Sequence, residues 1–195
     1  MVGEAARLRL PAGAMIPLAA AMLAAAAAAA PLSQWVVDAG CRDGEPQGPY
    51  QLRSAGGQLR VAGAFNAGRR TGSFIFWTAE GVRIAHIPYD DGERNGTVAT
   101  WYAGAPGREP ARRLESPWRH GRRDGLTRSW YADGRLRSET EYAAGRIVAS
   151  AGWSDAGRRL SDAAARELAL RDAEAADAQC AELDALVDGH LPRCE

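Results

Sequence analysis

Lysine is absent from this chain of 195 residues, and all 24 of its basic residues are arginine. Acidic residues also number 24, so the formal net charge is zero. A balanced charge gives no electrostatic reason to expect nucleic acid or a strongly anionic surface as the partner. Because the chain is also rich in alanine and glycine, the exclusive use of arginine is typical of a coding bias, and we do not interpret it as phosphate recognition.

Residues that carry catalysis and metal binding are scarce. His86, His120 and His190 lie far apart in the sequence, and no serine or cysteine stands in a known nucleophile motif. The three cysteines form no Cys-x-x-Cys pair, which excludes the usual zinc patterns. Residues 91–96 begin like a calcium loop, but its twelfth position is Tyr102 instead of a bidentate glutamate. The sequence therefore predicts a protein that is not an enzyme and uses no cofactor or metal.

The first 32 residues have the pattern of a targeting segment. Arg7 and Arg9 precede an uncharged run over residues 10–32, which ends in an alanine tract and Pro31. This pattern fits a cleaved secretory signal peptide, and the run is also just long enough to span a bilayer as an N-terminal membrane segment. Both alternatives predict an exported protein, either periplasmic or anchored in the inner membrane. We expect it to touch the membrane only through this segment.

Export would place the three cysteines in an oxidising compartment, where one disulfide and one free thiol are expected. Cys41 stands near the start of the predicted mature chain and Cys194 nearly closes it. A disulfide between these two would hold both ends at one site. The alternative pairing is Cys180 with Cys194.

Glycine and aromatic residues recur with a period of 24 residues, which indicates a repeat architecture. Units begin at Gly48, Gly72, Gly96 and Gly125, and the third unit has 29 residues because of an insertion around Ala103 to Arg113. One repeat position, five residues after the first glycine, carries Trp77, Trp101, Trp130 and, in a degenerate fifth unit around Val148, Trp153. These tryptophans form either a ladder for contact with a partner or the core of a sheet.

The spacing of the glycines predicts β-hairpins. Ala-Gly-Gly57, Ala-Glu-Gly81 and Ala-Asp-Gly134 have the composition of three-residue hairpin loops that end in a left-handed residue. Apolar and polar or small residues alternate from Leu59 to Phe65, which predicts a strand with one apolar face. Residues 66–72 and 90–96 are rich in glycine and are expected to link one hairpin to the next.

The second unit departs from this scheme. Val82, Ile84 and His86 are shifted by one position relative to the apolar residues of the other units. The shift indicates either a β-bulge or a strand that is buried on both faces.

The units resemble MORN-type repeats, and more closely the bacterial MORN-repeat variant, whose units read Asp-Gly-x-Leu-x-x-x-x-x-Tyr-x-x-Gly-x-x-x-Gly. The matching residues are Asp133, Gly134, Leu136, Tyr142 and Gly145 in one unit, and Gly57, Leu59, Phe65, Gly68 and Gly72 in another. The resemblance covers about residues 48–160. It implies an elongated sheet of consecutive hairpins that serves as a scaffold or contact surface, without a common enzymatic activity. Some proteins of the variant family are labelled antitoxin components.

A long amphipathic helix is predicted after the repeats, with Ser161 as its N-cap and with its end marked by Gly189 and Pro192. Residues 48–159 carry 18 arginines against 11 acids, whereas residues 160–195 carry 3 against 9. A basic sheet docked by an acidic helix is one interpretation, and two independently solvated regions is the other. Because a single-layer sheet leaves two faces and an edge open, we expect the helix to cover one of them.

Arginine pairs recur near the unit junctions and are expected on loops. They are Arg69-Arg70, Arg112-Arg113 and Arg122-Arg123. They are interpreted as solvated edges that discourage aggregation, or as contacts for anionic lipid or an acidic partner.

The predicted fold is mainly β, an elongated single-layer antiparallel sheet of hairpin repeats with a C-terminal helix. Its parts are a targeting segment (1–32), a linker (33–47), the repeat domain (48–159), the helix (160–189) and a tail (190–195). The function expected first is a non-catalytic scaffold of the cell envelope that binds another protein through the sheet face or the inter-repeat loops. The alternatives are a cytoplasmic antitoxin-like binding protein, and a hydrolase or lyase that uses His86 with nearby carboxylates.

Overall fold

The computed structural model describes residues 35–195, which form one antiparallel sheet and one helix. The predicted targeting segment therefore lies outside the described residues. The elements are β1 (Val36–Arg42), β2 (Glu45–Arg53), β3 (Leu59–Asn66), β4 (Arg69–Trp77), β5 (Arg83–Asp90), β6 (Glu93–Arg94), β7 (Gly96–Trp101), β8 (Arg112–Arg119), β9 (Arg122–Arg123), β10 (Gly125–Trp130), β11 (Leu136–Ala143), β12 (Arg146–Gly152) and α1 (Asp162–Asp188). The fold class predicted from the sequence is confirmed.

The strands pair in chain order, so the sheet is a continuous meander. The short strands β6 and β9 pair with β5 and β8, and each continues after a bulge into β7 or β10. Every pairing is antiparallel. Each inner strand therefore belongs to two hairpins at once.

Two kinds of turn alternate along this meander. Two-residue turns with positive φ at both residues are formed by Asp43-Gly44, Ala67-Gly68, Asp91-Gly92, His120-Gly121 and Ala144-Gly145. This is the type I′ geometry, whose twist matches that of the flanking strands. The loops at the opposite ends of the strands include a left-handed glycine at Gly57, Gly81, Gly134 and Gly157, as the sequence predicts for the first three.

Two expectations about connections are wrong. Residues 66–72 and 90–96 are not links, because each contains a two-residue turn followed by strand residues. The expected linker at 33–47 is also incorrect, since β1 and the start of β2 occupy residues 36–47. Its Asp43-Gly44 turn stands 24 residues before Ala67-Gly68, so the repeat begins one strand earlier than the aromatic pattern indicates.

The glycines that open the units mark bulges instead of turns. Gly48, Gly72, Gly96 and Gly125 all have positive φ and lie where the pairing slips or one strand is interrupted. A second bulge recurs at the other end of each unit, where the pairing passes over Arg60, Ile84, Arg113 or Arg137. The second unit contains this bulge at Ile84, but every unit has its equivalent. Its buried residues Ala85, Ile87 and Tyr89 therefore keep the phase of the other units.

The helix lies against one face of the sheet and runs across the strands. Its 27 residues span about 40 Å at 1.5 Å per residue, close to the roughly 43 Å width of ten paired strands. Near its start, Leu168 and Ala165 pack on Gly152 of β12. Beyond its end, the carbonyl of His190 accepts a hydrogen bond from Tyr50 on β2. Ser161 is the N-cap and Gly189 the C-cap, as predicted.

The face under the helix changes from apolar to polar along the sheet. The main core lies at the N-terminal end and includes Tyr50, Leu52, Val61, Phe65, Phe74, Phe76, Ile87 and Tyr89, packed with Cys180 and Val187 of α1. Towards the C-terminal end the equivalent buried positions are hydroxyl residues, namely Thr100, Ser116, Thr127, Ser129, Ser138 and Thr140. Apolar burial therefore holds the second half of the helix more strongly than the first.

Charge pairs hold the second half of the helix on the sheet. Arg94 Nη2 lies 3.0 Å from Asp184 Oδ2, and Arg123 makes two hydrogen bonds of 2.8 and 2.9 Å to Asp177. Arg70 contacts Asp188 at 2.7 Å. These arginines share one repeat position, two residues after a turn glycine. Of the two interpretations of the charge distribution, the structure has the basic sheet docked by the acidic helix.

The arginine pairs are thus not the loop contacts that the sequence indicates. Arg70, Arg113 and Arg123, the second member of each pair, face the helix, and Arg113 donates to Gln179. Alternation along the strand places the two members of a pair on opposite faces, so half of this charge is used inside the protein.

A disulfide joins Cys41 to Cys194, with 5.6 Å between the Cα atoms. It ties the chain after α1 to the edge strand β1. Cys180 is free and buried, and burial raises the pKa of its thiol to about 11, which keeps it protonated. The structure thus contains the first of the two pairings that the sequence left open.

Candidate functional site

The sheet face that α1 does not cover carries a groove, called here the open-face groove. It consists of two adjoining hollows of about 500 and 430 Å³ that share Ile75 and Arg83. The first lies beside Trp77 and residues 107–110, and the second extends past His86 to Trp101. Each volume falls within the range of small ligand sites.

One row of residues across the sheet forms the floor of the groove. Ile75 pairs with His86, His86 with Ala99, and Ala99 with Glu115, on strands β4, β5, β7 and β8. Side chains directly opposite each other on neighbouring strands share a face. The backbone ladder therefore fixes the floor, and its positions do not depend on loop conformation.

A tryptophan between two guanidinium groups lines the second hollow of the groove. The Cζ atoms of Arg83 and Arg112 lie 4.2 and 5.6 Å from the ring centroid of Trp101. The ring is only 6% exposed although it lies outside the main core, because these two side chains cover it. Such stacking restrains both arginines while their remaining donors stay available to a ligand.

The insertion of the third unit forms a wall of the groove. A hydrogen bond of 2.9 Å from Tyr102 N to Ala111 O closes the base of the loop. Residues 107–110 then line the first hollow opposite Trp77, and Glu109 lies 3.5 Å from Arg83. The extra residues therefore line one of the two hollows of this face.

His86 lies in the second hollow and contacts a serine. Its Nε2 is 2.9 Å from Ser73 Oγ, and burial, followed by the charge of Arg83, lowers the pKa of the imidazole. The imidazole is therefore neutral at pH 7. Within residues 35–195 no carboxylate hydrogen-bonds to it, and Glu115 of the same hollow pairs with Arg112. The pair lacks the orienting acid of a catalytic triad.

The tryptophan ladder lies outside the main core. Trp77 and Trp101 line the groove. Trp153 follows the inward-facing Gly152, so strand alternation places it on the open face beyond the groove. Trp130 instead contributes to the lining of a cavity between the sheet and α1. The aromatic residues of the main core are instead tyrosines and phenylalanines, which lie at the alternate strand positions that face α1. Contact with a partner remains a prediction for the four tryptophans.

The described part of the chain lacks two further features. Residues 35–195 contain no group of three or more histidine, cysteine, aspartate or glutamate side chains that could hold a metal ion. Their helix is not long and apolar enough to cross a membrane.

Sequence reasoning missed most of the groove. It named Trp77, Trp101 and His86 but not Ile75 or Arg83, and it found the insertion that contains residues 107–110 without assigning it to a site. Arg83 carried a usable signal, because it replaces the apolar Leu59 and Leu136 of the equivalent repeat position, where Arg112 also stands. The contact of the loop with Arg83 depends on loop conformation and had no such signal.

The chain was compared with known proteins. No protein-family model matches it, and no curated protein is significantly similar to it. The resemblance to the MORN-repeat variants therefore stays a prediction.

Proposed function

We propose that this protein is a non-catalytic binding protein of the cell envelope that holds a segment of another protein in the open-face groove. The observation that carries the proposal is Trp101 between Arg83 and Arg112, beside a floor fixed by the strand ladder. Tryptophan and arginine are the residues most enriched among the strongest contacts of protein interfaces. The tail and helix occupy the other face, which leaves this face to a partner.

The shape of the groove favours an extended segment. The two hollows follow one another along β4 and β5, from residues 107–110 at one end to Pro88 and Thr97 at the other. A preformed floor lowers the entropy lost on binding, since few side chains of the protein need to be ordered.

The envelope location rests on two features. The sequence of residues 1–32 has the pattern of a targeting segment, and the Cys41–Cys194 disulfide suits an oxidising compartment. Cell fractionation with N-terminal sequencing of the mature chain tests this part. Recovery of full-length protein in the cytoplasm would favour the antitoxin-like alternative.

Two matched charge reversals test the groove. The side chains of Arg83 and Arg128 are 41% and 46% exposed, both lie on the open face, and each pairs with one glutamate. Only Arg83 lines the groove. We expect Arg83→Glu to weaken saturable capture of a protein from envelope extract at least tenfold, and Arg128→Glu to change it less than twofold. Equal effects of the two variants would contradict the proposal.

A hydrolase is the second candidate because Ser73 and His86 are in contact. Since no carboxylate orients the imidazole within residues 35–195, we expect Ser73 to be unreactive. Incubation with a fluorophosphonate probe and mass spectrometry should find Ser73 unlabelled at pH 8. Rapid labelling that His86→Ala abolishes would support the hydrolase instead.

A further inference from the structure

A second cavity lies on the other side of the sheet, between α1 and strands β8, β10 and β11. This helix-side cleft has a volume of about 420 Å³. It stands where the buried positions of the sheet have changed from apolar to hydroxyl residues, so the middle of the helix does not fill the space beneath it. Its apolar lining includes Tyr102, Leu114 and Ala176.

Three arginines line the helix-side cleft, against one carboxylate. Arg113 and Arg137 come from the bulges of β8 and β11, Arg171 comes from the helix, and the acid is Asp172. Asp172 is already occupied, because it accepts hydrogen bonds from Ser129 at 2.6 Å and from Arg137 Nε at 3.0 Å. The lining therefore has an excess of two positive charges.

Most guanidinium donors of the cleft remain available. Arg113 donates through Nη1 to Gln179, and Arg137 donates only through Nε among the residues described. Arg171 is 63% exposed, and its nearest carboxylate oxygen, in Glu167, is 3.9 Å away. Several N–H groups of like-charged side chains thus share one cavity, an arrangement that a bound anion would stabilise.

Another hollow lies on the opposite side of the helix and differs from the helix-side cleft in its balance of charges. It is lined by Arg123, Arg146 and Arg166, but also by Glu174 and Asp177. Arg123 is engaged there by both oxygens of Asp177. The two hollows carry three arginines each, but the helix-side cleft has one acid where the other hollow has two.

We propose that the helix-side cleft binds a small molecule that carries an oxyanion, phosphate or carboxylate, on a compact apolar body. The guanidinium groups of Arg113, Arg137 and Arg171 receive the oxyanion, and Tyr102 and Leu114 contact the apolar part. This site is separate from the open-face groove, so the protein can hold a small ligand and a partner at the same time.

Calorimetric titration of the oxidised protein at low salt tests this site with four probes: phenyl phosphate, benzoate, inorganic phosphate and phenol. We expect phenyl phosphate to bind more tightly than inorganic phosphate, and phenol not to bind. Benzoate tests whether a carboxylate can replace the phosphate group as the bound oxyanion. Failure of both phenyl phosphate and benzoate to bind would overturn the proposal.

Variants on the two sides of the helix locate the binding. Arg171→Gln removes an exposed arginine of the cleft. It should weaken the binding of phenyl phosphate about tenfold, as the loss of one charge-assisted contact would. Arg166→Gln, on the other hollow, is the matched control and should change the affinity less than twofold. Ala175→Phe, which fills the cleft from an exposed position, should abolish binding. Equal losses in Arg171→Gln and Arg166→Gln would show non-specific attraction and overturn the assignment.

Discussion

Single residues set the path of the chain, and Gly96 is the clearest case. Its φ is +116°, a value that side chains disfavour, and it opens the strand after the β6 bulge. A Cβ atom at this position would lie 3.0 Å from Pro88 Cγ on the neighbouring strand. Both the backbone and the packing therefore require glycine.

Gly96→Ala should lower the free energy of unfolding by about 1–3 kcal/mol, because alanine is strained at this φ. Gly56→Ala is the control, since that position has no positive φ and a Cβ would meet only Ser54 Oγ at 3.9 Å. The control should change stability by no more than about 0.5 kcal/mol. Denaturant unfolding measures both, and an equal stability of the two variants would contradict the role given to Gly96.

Tyr50 makes the stability of the protein vary with pH in the alkaline range. The side chain is fully buried, and burial raises its pKa from 10.0 to about 12, with Arg70 opposing the effect and Asp188 adding to it. Because the pKa of Tyr50 is higher in the folded state than in the unfolded state, its contribution to stability is fully present below pH 10 and is lost as the pH rises through 12.

We therefore expect unfolding midpoints to fall between pH 10 and pH 12, and to fall less in Tyr50→Phe than in the wild type. Phenolate absorbance during the same titration reports the ionisation directly. An identical pH dependence of the two proteins would show that Tyr50 does not titrate in this range.

At this scale the sequence indicates which glycines need a positive φ, but it does not show which of them form turns and which form bulges. Turn and bulge glycines both need positive φ, so composition alone does not separate Gly68 from Gly72. The distinction depends on which strands pair. The arginines that face the helix were missed for a similar reason, because alternation identifies a face but not what covers it.

Among the elements, the helix has the most demanding interface. Asp184 is the centre of its charge pairs: it accepts hydrogen bonds from Tyr89 and from Arg94, and lies 3.8 Å from Arg70. Its side chain is 19% exposed. Loss of this carboxylate leaves two half-buried guanidinium groups short of a partner.

Asp184→Ala should lower the free energy of unfolding by about 2–4 kcal/mol, because breaking one side of a buried pair is costly. Glu182→Ala, two residues earlier and exposed, is the matched control and should change it by less than about 0.5 kcal/mol. Thermal and denaturant unfolding give both values. A loss below 1 kcal/mol in Asp184→Ala would mean that the pairs contribute little.

The helix itself was predictable, including its caps, because these depend on local sequence. Its docking was foreseen only as one of two interpretations of the charge distribution. The pairing of Arg94 with Asp184 could not be derived, since the crossing direction of the helix over the sheet sets it. The insertion also lacked a local signal, because its position over Arg83 depends on neighbouring strands.

For the whole molecule, the disulfide closes nearly the entire described chain. Cys41 and Cys194 are 153 residues apart, so the bond restricts the unfolded chain strongly. The tail that it anchors also places His190 against Trp35, with 5.1 Å between the ring centroids.

Cys194→Ser should lower the free energy of unfolding by roughly 4–5 kcal/mol, as expected for a loop of this length. Reductant should destabilise the wild type by a similar amount and leave the variant unchanged. Peptide mapping without reduction should find Cys41 linked to Cys194 and Cys180 free. A Cys180–Cys194 peptide would contradict this arrangement.

The two faces of the sheet have different roles in this account: one is covered by α1, and the other is open to a partner. A photo-crosslinking residue tests the division most directly when it replaces Ile75 in the groove or, as a control, Glu141, which is exposed on β11 outside it. In intact cells we expect a discrete crosslinked partner from position 75, lost with Arg83→Glu, and none from position 141. No crosslink from position 75, or the same adduct from both positions, would contradict it.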